Sequence, residues 1–387
     1  MEELKEGWRR VKLGEVAEYI SNKINTSELN ENNYISTENM IVNRGGVTKA
    51  TNIPQNAKVN CFSENDILFS NIRTYFKKLW KADFNGGASN DVLIIRSLNS
   101  KNILNDYLYY IMSEEKFFDY TVNTSKGTKM PRGDKAAIMQ YEFYIPEDIK
   151  VQQKIASILS ALDDKIELNN EMNKTLEEMA QTLFKRWFID FDFPNENGEP
   201  YRSSGGKMVD SELGEIPEGW RIGSLEEIVN ISSGKRPKVK KEKDKLHKIP
   251  IIGANGVMSY TNEFMYNEKL LTIGRVGTLG VVQKYYDKIW PSDNSLVIKS
   301  DYLEMIYFIL KNVDYKSLNR GSTQPLITQT DMKNLKIIIG ETELILEFCK
   351  IIFKLFDFQR KNQQEINSLT EIRDTLLPKL MSGEIEV

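Results

Sequence analysis

The sequence contains an internal repeat, and this repeat limits the possible folds more than any other feature. Each copy opens on Glu-Gly-Trp-Arg, at residues 6–9 and again at 218–221. A turn rich in Asp and Asn then precedes a short apolar strand, at 92–95 and at 295–298. An aromatic amphipathic helix, a polar loop and a long charged helix follow in the same order. Five features repeated in one order indicate a duplication, so we expect two similar folded units.

The order of elements within each copy predicts the fold class. Strands come first, followed by a helix, a loop, a further strand and the long helix, which is typical of an α+β protein. Both copies have this order of elements, but the segments between them differ in length. Trp8 and Pro131 are 123 residues apart, whereas Trp220 and Pro325 are 105 residues apart. We therefore predict two similar mixed α/β domains, related as a pseudo-twofold repeat, that present different surfaces.

Two long helices are predicted, at about 151–188 and at about 342–377, with Pro378 and Ser382-Gly383 ending the second. In both, apolar residues recur at alternating spacings of three and four, a heptad pattern typical of a coiled coil. Asn169 and Asn362 fall at equivalent places in this pattern, where an Asn fixes the register of a helix pair. We favour pairing of the two helices with each other. The alternative is that each helix packs on the core of its own domain.

A stretch rich in Pro, Gly, Asn and Ser, residues 193–206, is the clearest linker in the chain. The predicted boundaries are 1–149 for the first domain, 150–190 for the first long helix, 191–212 for the linker, 213–340 for the second domain and 341–387 for the second long helix.

Composition excludes several classes of enzyme. Of the 387 residues, only Cys61, Cys349 and His247 are cysteine or histidine. These numbers exclude a zinc finger, a Ser-His-Asp triad and a Cys-His protease. The Asp/Asn-Pro-Pro-Tyr/Phe turn of a DNA methyltransferase that acts on amino nitrogens is absent, and Gly274, Gly277 and Gly280 match neither a dinucleotide-binding loop nor a P-loop. We predict no catalytic site and no metal site on this chain.

Compartment and charge also follow from the composition. The N-terminal residues lack an apolar signal core, and no apolar run approaches the roughly 18 residues of a membrane span. We therefore expect an intracellular protein in a reducing cytoplasm, without a disulfide framework. The formal net charge is −3, so binding to a nucleic acid would depend on local basic patches.

Four basic segments are candidate DNA contacts. Residues 235–248 carry eight positive charges on a turn, and the loops 126–135 and 320–324 occupy the same place in the two copies. Arg and Gln suit guanine and adenine edges, while Lys, Ser and Thr suit phosphates. Residues 72–79 alternate basic with apolar side chains, and Arg275 lies in the glycine-containing turn. The alternatives are a solvated loop at 235–248 and the polar face of a half-buried strand at 72–79. The predicted DNA-binding residues are Arg73, Lys77, Lys78, Lys126, Thr128, Lys129, Arg132, Lys235, Arg236, Lys238, Lys240, Lys241, Arg275, Arg320, Ser322, Thr323 and Gln324.

Large apolar side chains lie near the ends of both long helices. They either close the end of the coiled coil or form an exposed docking site for another subunit, and we favour docking. The residues are Phe184, Trp187 and Phe188 on the first helix and Leu376, Leu377 and Leu380 on the second.

Several motifs together resemble the DNA specificity subunit of type I restriction-modification systems. They are the Glu-Gly-Trp openings, the helix motif LDDKIELNN at 162–170 and the ending LLPKLMSGEI at 376–385. The resemblance covers essentially the whole chain. The second helix departs from the pattern, since Leu-Phe-Asp-Phe-Gln at 355–359 replaces the expected Leu-Asp-Asp-Lys-Ile.

The resemblance implies two target-recognition domains separated by two antiparallel helices. Each domain would read one half of a split, asymmetric DNA sequence, and the helices would set the unread gap. It also implies a non-catalytic cytoplasmic, nucleoid-associated chain without a cofactor of its own. Its partners would be double-stranded DNA, two modification subunits that bind S-adenosylmethionine and methylate adenine, and restriction subunits that translocate and cleave, with ATP and Mg²⁺ on those partners.

Two other functions stay open at this point. One is a non-catalytic scaffold that binds proteins and never reads a DNA sequence. The other is the specificity subunit of a related system that cuts beside its own target.

Overall fold

The computed structural model describes residues 6–321 and 325–387. The chain divides into two compact units. The first comprises the described residues up to Asn169 together with Gln364–Val387, and the second comprises Asn170–Gln363. Each unit therefore contains one half of each long helix.

The first unit is built from short strands and short helices that precede a long helix. Its strands are β1 (Trp8–Lys12), β2 (Ala17–Tyr19), β3 (Lys23–Asn25), β4 (Tyr34–Ile35), β5 (Lys58–Phe62), β6 (Ile67–Ser70), β7 (Leu79–Lys81), β8 (Gly86–Ala88), β9 (Val92–Ser97) and β10 (Glu142–Pro146). Its helices are α1 (Leu13–Val16), α2 (Asn105–Ser113), α3 (Glu115–Asn123), α4 (Lys135–Ile138) and the start of α5 (Ile149–Phe188), with 3-10 turns at Thr26–Glu28 and Thr74–Phe76.

The second unit repeats this order. Its strands are β11 (Met208–Ser211), β12 (Gly214–Pro217), β13 (Arg221–Ser224), β14 (Asn230–Ser233), β15 (Ile249–Gly253), β16 (Gly256–Thr261), β17 (Tyr266–Asn267), β18 (Leu270–Gly274), β19 (Val282–Tyr285), β20 (Lys288–Pro291), β21 (Ser295–Lys299) and β22 (Lys336–Ile339). Its helices are α6 (Leu303–Lys311), α7 (Gln329–Lys333) and the start of α8 (Thr342–Met381), with a 3-10 turn at Leu225–Glu227.

Strand pairing confirms the predicted duplication and the mixed α/β fold. The antiparallel pair β1–β10 corresponds to β13–β22, and the antiparallel sheet β2-β9-β6-β7 corresponds to β14-β21-β18-β19. The other sheet of each unit has orders β3-β5-β8-β4 and β16-β15-β20-β17. In both, one inner strand pairs in parallel with a strand that precedes it, β8 with β4 and β20 with β15. The outermost strands of these sheets differ, so the two copies have a similar arrangement of central strands and differ at the sheet edges.

The two long helices are present, and each has 40 residues. Within each unit their segments run antiparallel: Asp163 bonds Arg373 and Asn169 bonds Glu365 in the first unit, and Asn173 bonds Asn362 in the second. The second helix continues through Pro378, which was predicted to help end it, and stops at Met381, directly before the predicted stop at Ser382-Gly383. A proline in the last turn removes one backbone donor, and the remaining carbonyls still find partners such as the Ser382 amide.

Each unit has its own hydrophobic core. In the first, Phe69, Tyr107, Phe117 and Phe118 lie at its centre. The core of the second unit contains aromatic residues from its sheet, from α6 and from both long helices. The segment predicted as a linker also folds onto this core, where Phe193 stacks on Trp220 with ring centroids 5.1 Å apart.

The apolar residues near the helix ends are not an exposed docking site, so that prediction is wrong. Phe184, Trp187 and Phe188 belong to the core of the second unit, and Leu377 and Leu380 belong to the core of the first, each at most 9% exposed. Leu376 is half-buried against the same first core. These side chains are covered by the chain's own globular parts and are not free for another subunit.

The two asparagines of the heptad pattern are both buried between helix segments. Asn169 donates from Nδ2 to Glu365 Oε2 at 2.9 Å, and Asn362 donates to Asn173 Oδ1 at 3.0 Å. An amide buried in this way finds its partner only in one alignment of the two helices. Their role in setting the register stays a prediction. None of the described helices is long and apolar enough to cross a membrane.

A charged cluster joins the second domain to both long helices. Glu177 of α5 accepts hydrogen bonds from Tyr307 and Lys311 of α6, each at 2.8 Å, and pairs with Lys284 of β19 at 3.2 Å. Lys284 also bonds Gln359 of α8. Burial raises the pKa of the Glu177 carboxyl, but Lys284, Lys311 and Tyr307 outweigh it and lower that pKa to about 2. The ionised carboxylate is therefore the stable form in the folded protein.

Replacing Glu177 by Gln should lower the free energy of unfolding of the second unit by about 2–3 kcal/mol at pH 7. The folded-state pKa lies below the unfolded one, so this contribution is complete above about pH 5 and is lost as the pH falls toward 2. Urea denaturation of both proteins between pH 7 and pH 3 measures the difference.

Glu178→Gln is the matched control, because Glu178 is the exposed neighbour on the same helix. It should change stability by less than about 0.5 kcal/mol. An equal loss from both substitutions, or a loss that does not shrink on acidification, would contradict the role of the Glu177 charge.

Candidate DNA interface

Three loops of the first unit converge at one place and are fixed by backbone hydrogen bonds. In the loop after β6, the Asn71 carbonyl accepts a hydrogen bond from the Gly133 amide. The Asn71 amide donates to the Asp91 carbonyl at 2.8 Å. Arg73 donates from its amide to Pro131 at 2.8 Å. The loop 126–132 is closed by two hydrogen bonds between the backbones of its first and last residues. The side chains of three separate segments are therefore held on one surface.

The second unit has the same set of backbone hydrogen bonds. The Arg275 amide donates to Asn294, the Gly277 amide donates to Pro325 and the Ile327 amide donates to Arg275, each at 3.0 Å. These bonds match those of the first unit one by one, with Arg275 in the place of Asn71 and Gly277 in the place of Arg73. Because Arg320 donates to Leu326 as Lys126 does to Arg132, the structure supports the alignment of the two polar loops that the sequence predicted.

Basic side chains of the first cluster are exposed. Lys126, Thr128, Lys129 and Arg132 all face solvent. Two of them are tied down at the base of the loop, since Lys126 pairs with Asp134 at 2.5 Å and Arg132 pairs with Asp91 at 3.1 Å. The hydrogen bond from Lys126, with those from the Ala137 and Ala136 amides, holds the pKa of the Asp134 carboxyl below its usual range.

The second cluster has an equivalent ion pair. Arg320 donates from Nε to Asp331 Oδ1 at 2.7 Å, and Asp331 lies in the helix that follows the loop, as Asp134 caps the corresponding helix. Burial opposes ionisation of Asp331, but hydrogen bonds from Thr328 and Arg320 outweigh it and lower its pKa. The predicted residues Ser322, Thr323 and Gln324 lie outside the described residues.

Arg275 connects this loop cluster to the start of the basic segment 235–248. Its Nη1 donates to Ser233 Oγ at 3.0 Å, and Gln329 donates to the same oxygen at 2.8 Å. The next residue, Gly234, is in close backbone contact, since an added Cβ would lie 2.2 Å from the Ser292 carbonyl oxygen. A side chain would therefore separate the basic segment from the other loops.

The basic segment itself is a solvent-facing loop between β14 and β15. Lys235, Arg236, Lys238, Lys240 and Lys241 are exposed. The backbone is fixed at two points, where the Lys235 amide donates to Pro291 and Lys241 pairs with Tyr260 on β16. Exposed, closely spaced and like-charged side chains are suited to a polyanion.

Residues 72–79 are not one half-buried strand. Thr74–Phe76 is a 3-10 turn that joins β6 to β7, and it lies between left-handed residues at Arg73 and Lys77. Lys77 forms an ion pair with Glu115, and the half-buried Lys78 donates to the Thr37 carbonyl at 2.6 Å. Contact of Lys77 or Lys78 with DNA would have to replace these internal partners, so both stay predictions.

Sequence reasoning missed two groups of residues at this surface. Asn71 and Asp91 connect the loops of the first cluster through their backbones. The available signal for Asp91 was the turn at 89–91, because a similar turn of Ser, Asp and Asn recurs at 292–294. Tyr75 and Phe76 form an exposed pair at the tip of the turn, with ring centroids 4.7 Å apart. Nothing in the local pattern separates these aromatic residues from core residues.

Comparisons with known proteins agree with this geometry. The family model described as the type I restriction modification DNA specificity domain matches residues 5–178 and 217–368, once in each copy of the repeat. The MjaIX specificity subunit of Methanocaldococcus jannaschii is 29% identical over 312 residues, which cover 74% of this chain and 70% of that protein. The HindI specificity subunit of Haemophilus influenzae is 25% identical over 465 residues, covering 98% and 99%.

A solved structure has a similar fold. The S subunit of a type I restriction-modification system from M. genitalium superimposes with a TM-score of 0.63 at 17% identity, covering 98% of both chains. The family model covers most of this sequence and falls on the two domains that carry the loop clusters. The chain therefore belongs to the DNA specificity subunits of type I restriction-modification systems.

Proposed function

We propose that this chain reads a split, asymmetric DNA sequence, with one half-site for each recognition domain. The observation that carries the proposal is the loop cluster, which occurs once in each domain with the same backbone hydrogen bonds and with different side chains. Conserved backbone and variable side chains are what two readers of different sequences require.

Within each cluster the side chains divide by chemistry. Lys126, Lys129 and Thr128 suit phosphate contacts, as do the lysines of 235–248, and such contacts position a protein without reading sequence. Arginine is suited to base edges because its guanidinium contacts guanine at two atoms. The exposed segment 235–248 would add affinity that falls steeply with salt.

The long helices are proposed to set the gap between the half-sites. Forty residues at 1.5 Å each give about 60 Å of helix. The bases in the gap would be spanned without being read, and the buried amides of Asn169 and Asn362 would keep the helices in one register.

The chemistry is proposed to lie on partner subunits. Two modification subunits, which bind S-adenosylmethionine and methylate adenine, and restriction subunits, which use ATP and Mg²⁺ to translocate and cleave, would be brought to the site by this non-catalytic chain. Its slightly acidic net charge of −3 suits such an assembly, because the partners would share the neutralisation of phosphates. We place the complex in the cytoplasm, on the nucleoid.

The proposal predicts a methylation pattern that depends on this chain. Cells that carry it with its modification partner should show N6-methyladenine on both strands of one split motif, and deletion of the chain should abolish that methylation. Single-molecule sequencing of genomic DNA measures both. With a partner shown to be active, methylation that survives the deletion would favour a protein scaffold instead.

Exchange of one domain should change one half-site. Replacing residues 213–340 with the corresponding domain of another family member should give a motif in which the half-site of the first domain is kept and the other is new. The same sequencing shows both halves at once. A change in both halves would contradict independent reading by the two domains.

Lengthening the helices should lengthen the gap alone. Seven residues inserted into each helix, after Asn170 and after Asn362, add about 10 Å, which corresponds to about three base pairs at 3.4 Å each. The methylated motif should then have a longer gap between unchanged half-sites. Altered half-sites at an unchanged gap would argue against the helices as the spacer.

A further inference from the structure

We propose that Arg73 reads a guanine in the half-site of the first domain, and that the position it occupies distinguishes the two domains. The inference rests on the proposed function, since it assigns one base contact within it. It follows from the comparison of the turn 70–78 with the turn 274–281, which are fixed by equivalent backbone hydrogen bonds at both ends and differ in side chains and by one residue in length.

The two turns can be aligned from both ends through their hydrogen bonds, and the turn of the first domain then has one residue more in its middle. The Ser70 amide donates to Lys78 as the Gly274 amide donates to Val281. Arg73 and Gly277 both donate to a proline carbonyl of the polar loop. Each turn has two residues with positive backbone φ. Near the start of the turn these are Arg73 (50°) and Gly277 (75°), and near its end they are Lys77 (52°) and Gly280 (73°).

Glycine is the residue that adopts this conformation without strain, and the second domain uses it at both places. The first domain instead has Arg73 in the left-handed region, at φ 50° and ψ 60°. Long side chains are rarely found there because Cβ crowds the backbone. Since the corresponding turn of the second domain has glycine at this place, the left-handed backbone does not by itself require an arginine at 73, and we assign its side chain a role in binding.

The Arg73 side chain has no partner of its own in the described part of the chain. No residue there accepts a hydrogen bond from its guanidinium, and its Nε is shielded from solvent without an acceptor. The adjacent Asn71 Oδ1 and Thr74 Oγ1 are likewise buried without a partner. Buried polar atoms are normally paired, so three unpaired atoms within four residues make this turn unusual. These atoms are shielded, so the part of the half-buried Arg73 side chain that reaches solvent is what can contact a ligand.

The surroundings of Arg73 identify the kind of ligand. Its backbone is bonded to the polar loop that carries Lys129 and Arg132, and Tyr75 and Phe76 stand exposed at the tip of the same turn. Basic groups beside exposed aromatic rings suit a nucleic acid. An arginine with a free guanidinium at the centre of that surface is the side chain that binds guanine O6 and N7 together.

Two substitutions separate base reading from backbone structure and from charge. Arg73→Gly removes the side chain and relieves the backbone, so the melting temperature should stay the same or rise. Arg73→Lys keeps the positive charge and cannot make the bidentate contact. Asn65→Gly is the matched control for backbone relief, because Asn65 is an exposed left-handed residue (φ 70°) of the same domain outside the loop cluster.

The assay is methylation of genomic DNA in cells that carry each full-length variant with the modification partner. Both Arg73 variants should reduce the preference for guanine at one position of one half-site by about 10- to 100-fold. The other half-site and the gap should not change, and Asn65→Gly should reproduce the wild-type motif.

Three results would overturn the inference. The first is an unchanged motif at an unchanged methylated fraction, and the second is an equal loss at all sites with the motif intact, which would indicate a phosphate contact. The third is a lower melting temperature of Arg73→Gly with loss of both half-sites, which would indicate a structural role. Absence of any methylated motif with the wild-type chain and an active partner would instead overturn the proposed function.

Discussion

The structure depends on the burial of the long helices in the cores of the globular domains. Each helix has 40 residues and is polar over most of its surface, so an isolated helix of this composition would gain little from its own sequence. Phe184 and Trp187 of the first helix, with Phe348 of the second, lie inside the core of the second domain. Each such side chain contributes about 1.5–3 kcal/mol when buried. The charged cluster around Glu177 also fixes the orientation of the second domain on the helix segments, because its hydrogen bonds are satisfied in one orientation only.

In the loop clusters, the groups that hold the loops together differ from the side chains that are proposed to contact DNA. The hydrogen bonds that bring the loops together join backbone atoms, as between Asn71 and Asp91 or between Arg275 and Asn294. A backbone bond places little demand on the identity of the side chain. Substitutions at exposed positions of these loops should therefore leave the arrangement intact, which would allow one scaffold to serve the two half-sites of the proposed function.

Much of this architecture was predictable, because repeats and heptads are periodic and periodicity is visible in a sequence. Both long helices and the aligned polar loops were found in that way. The docking prediction for Trp187 and Leu380 failed because an apolar side chain at a helix end looks the same whether another subunit or its own domain covers it. The contact of Arg73 with Pro131 was not predictable either, since it joins residues 58 positions apart through backbone atoms. The left-handed turn at Arg73 was hidden because no glycine marks it.

The two domains differ in a way that duplication alone does not explain. The second has eight basic residues within 235–248 and glycine at both left-handed positions of its turn. The first lacks such a basic run and instead accepts a strained backbone at Arg73 and Lys77. Sequence-independent attraction to phosphates can be supplied by either domain, because both would lie on one DNA molecule. Base reading could not be shared in this way, since in the proposed function each half-site is contacted by its own domain. Abundant charge is therefore needed in only one domain, whereas each domain needs base-reading side chains of its own, and in the first domain the left-handed Arg73 is the one proposed.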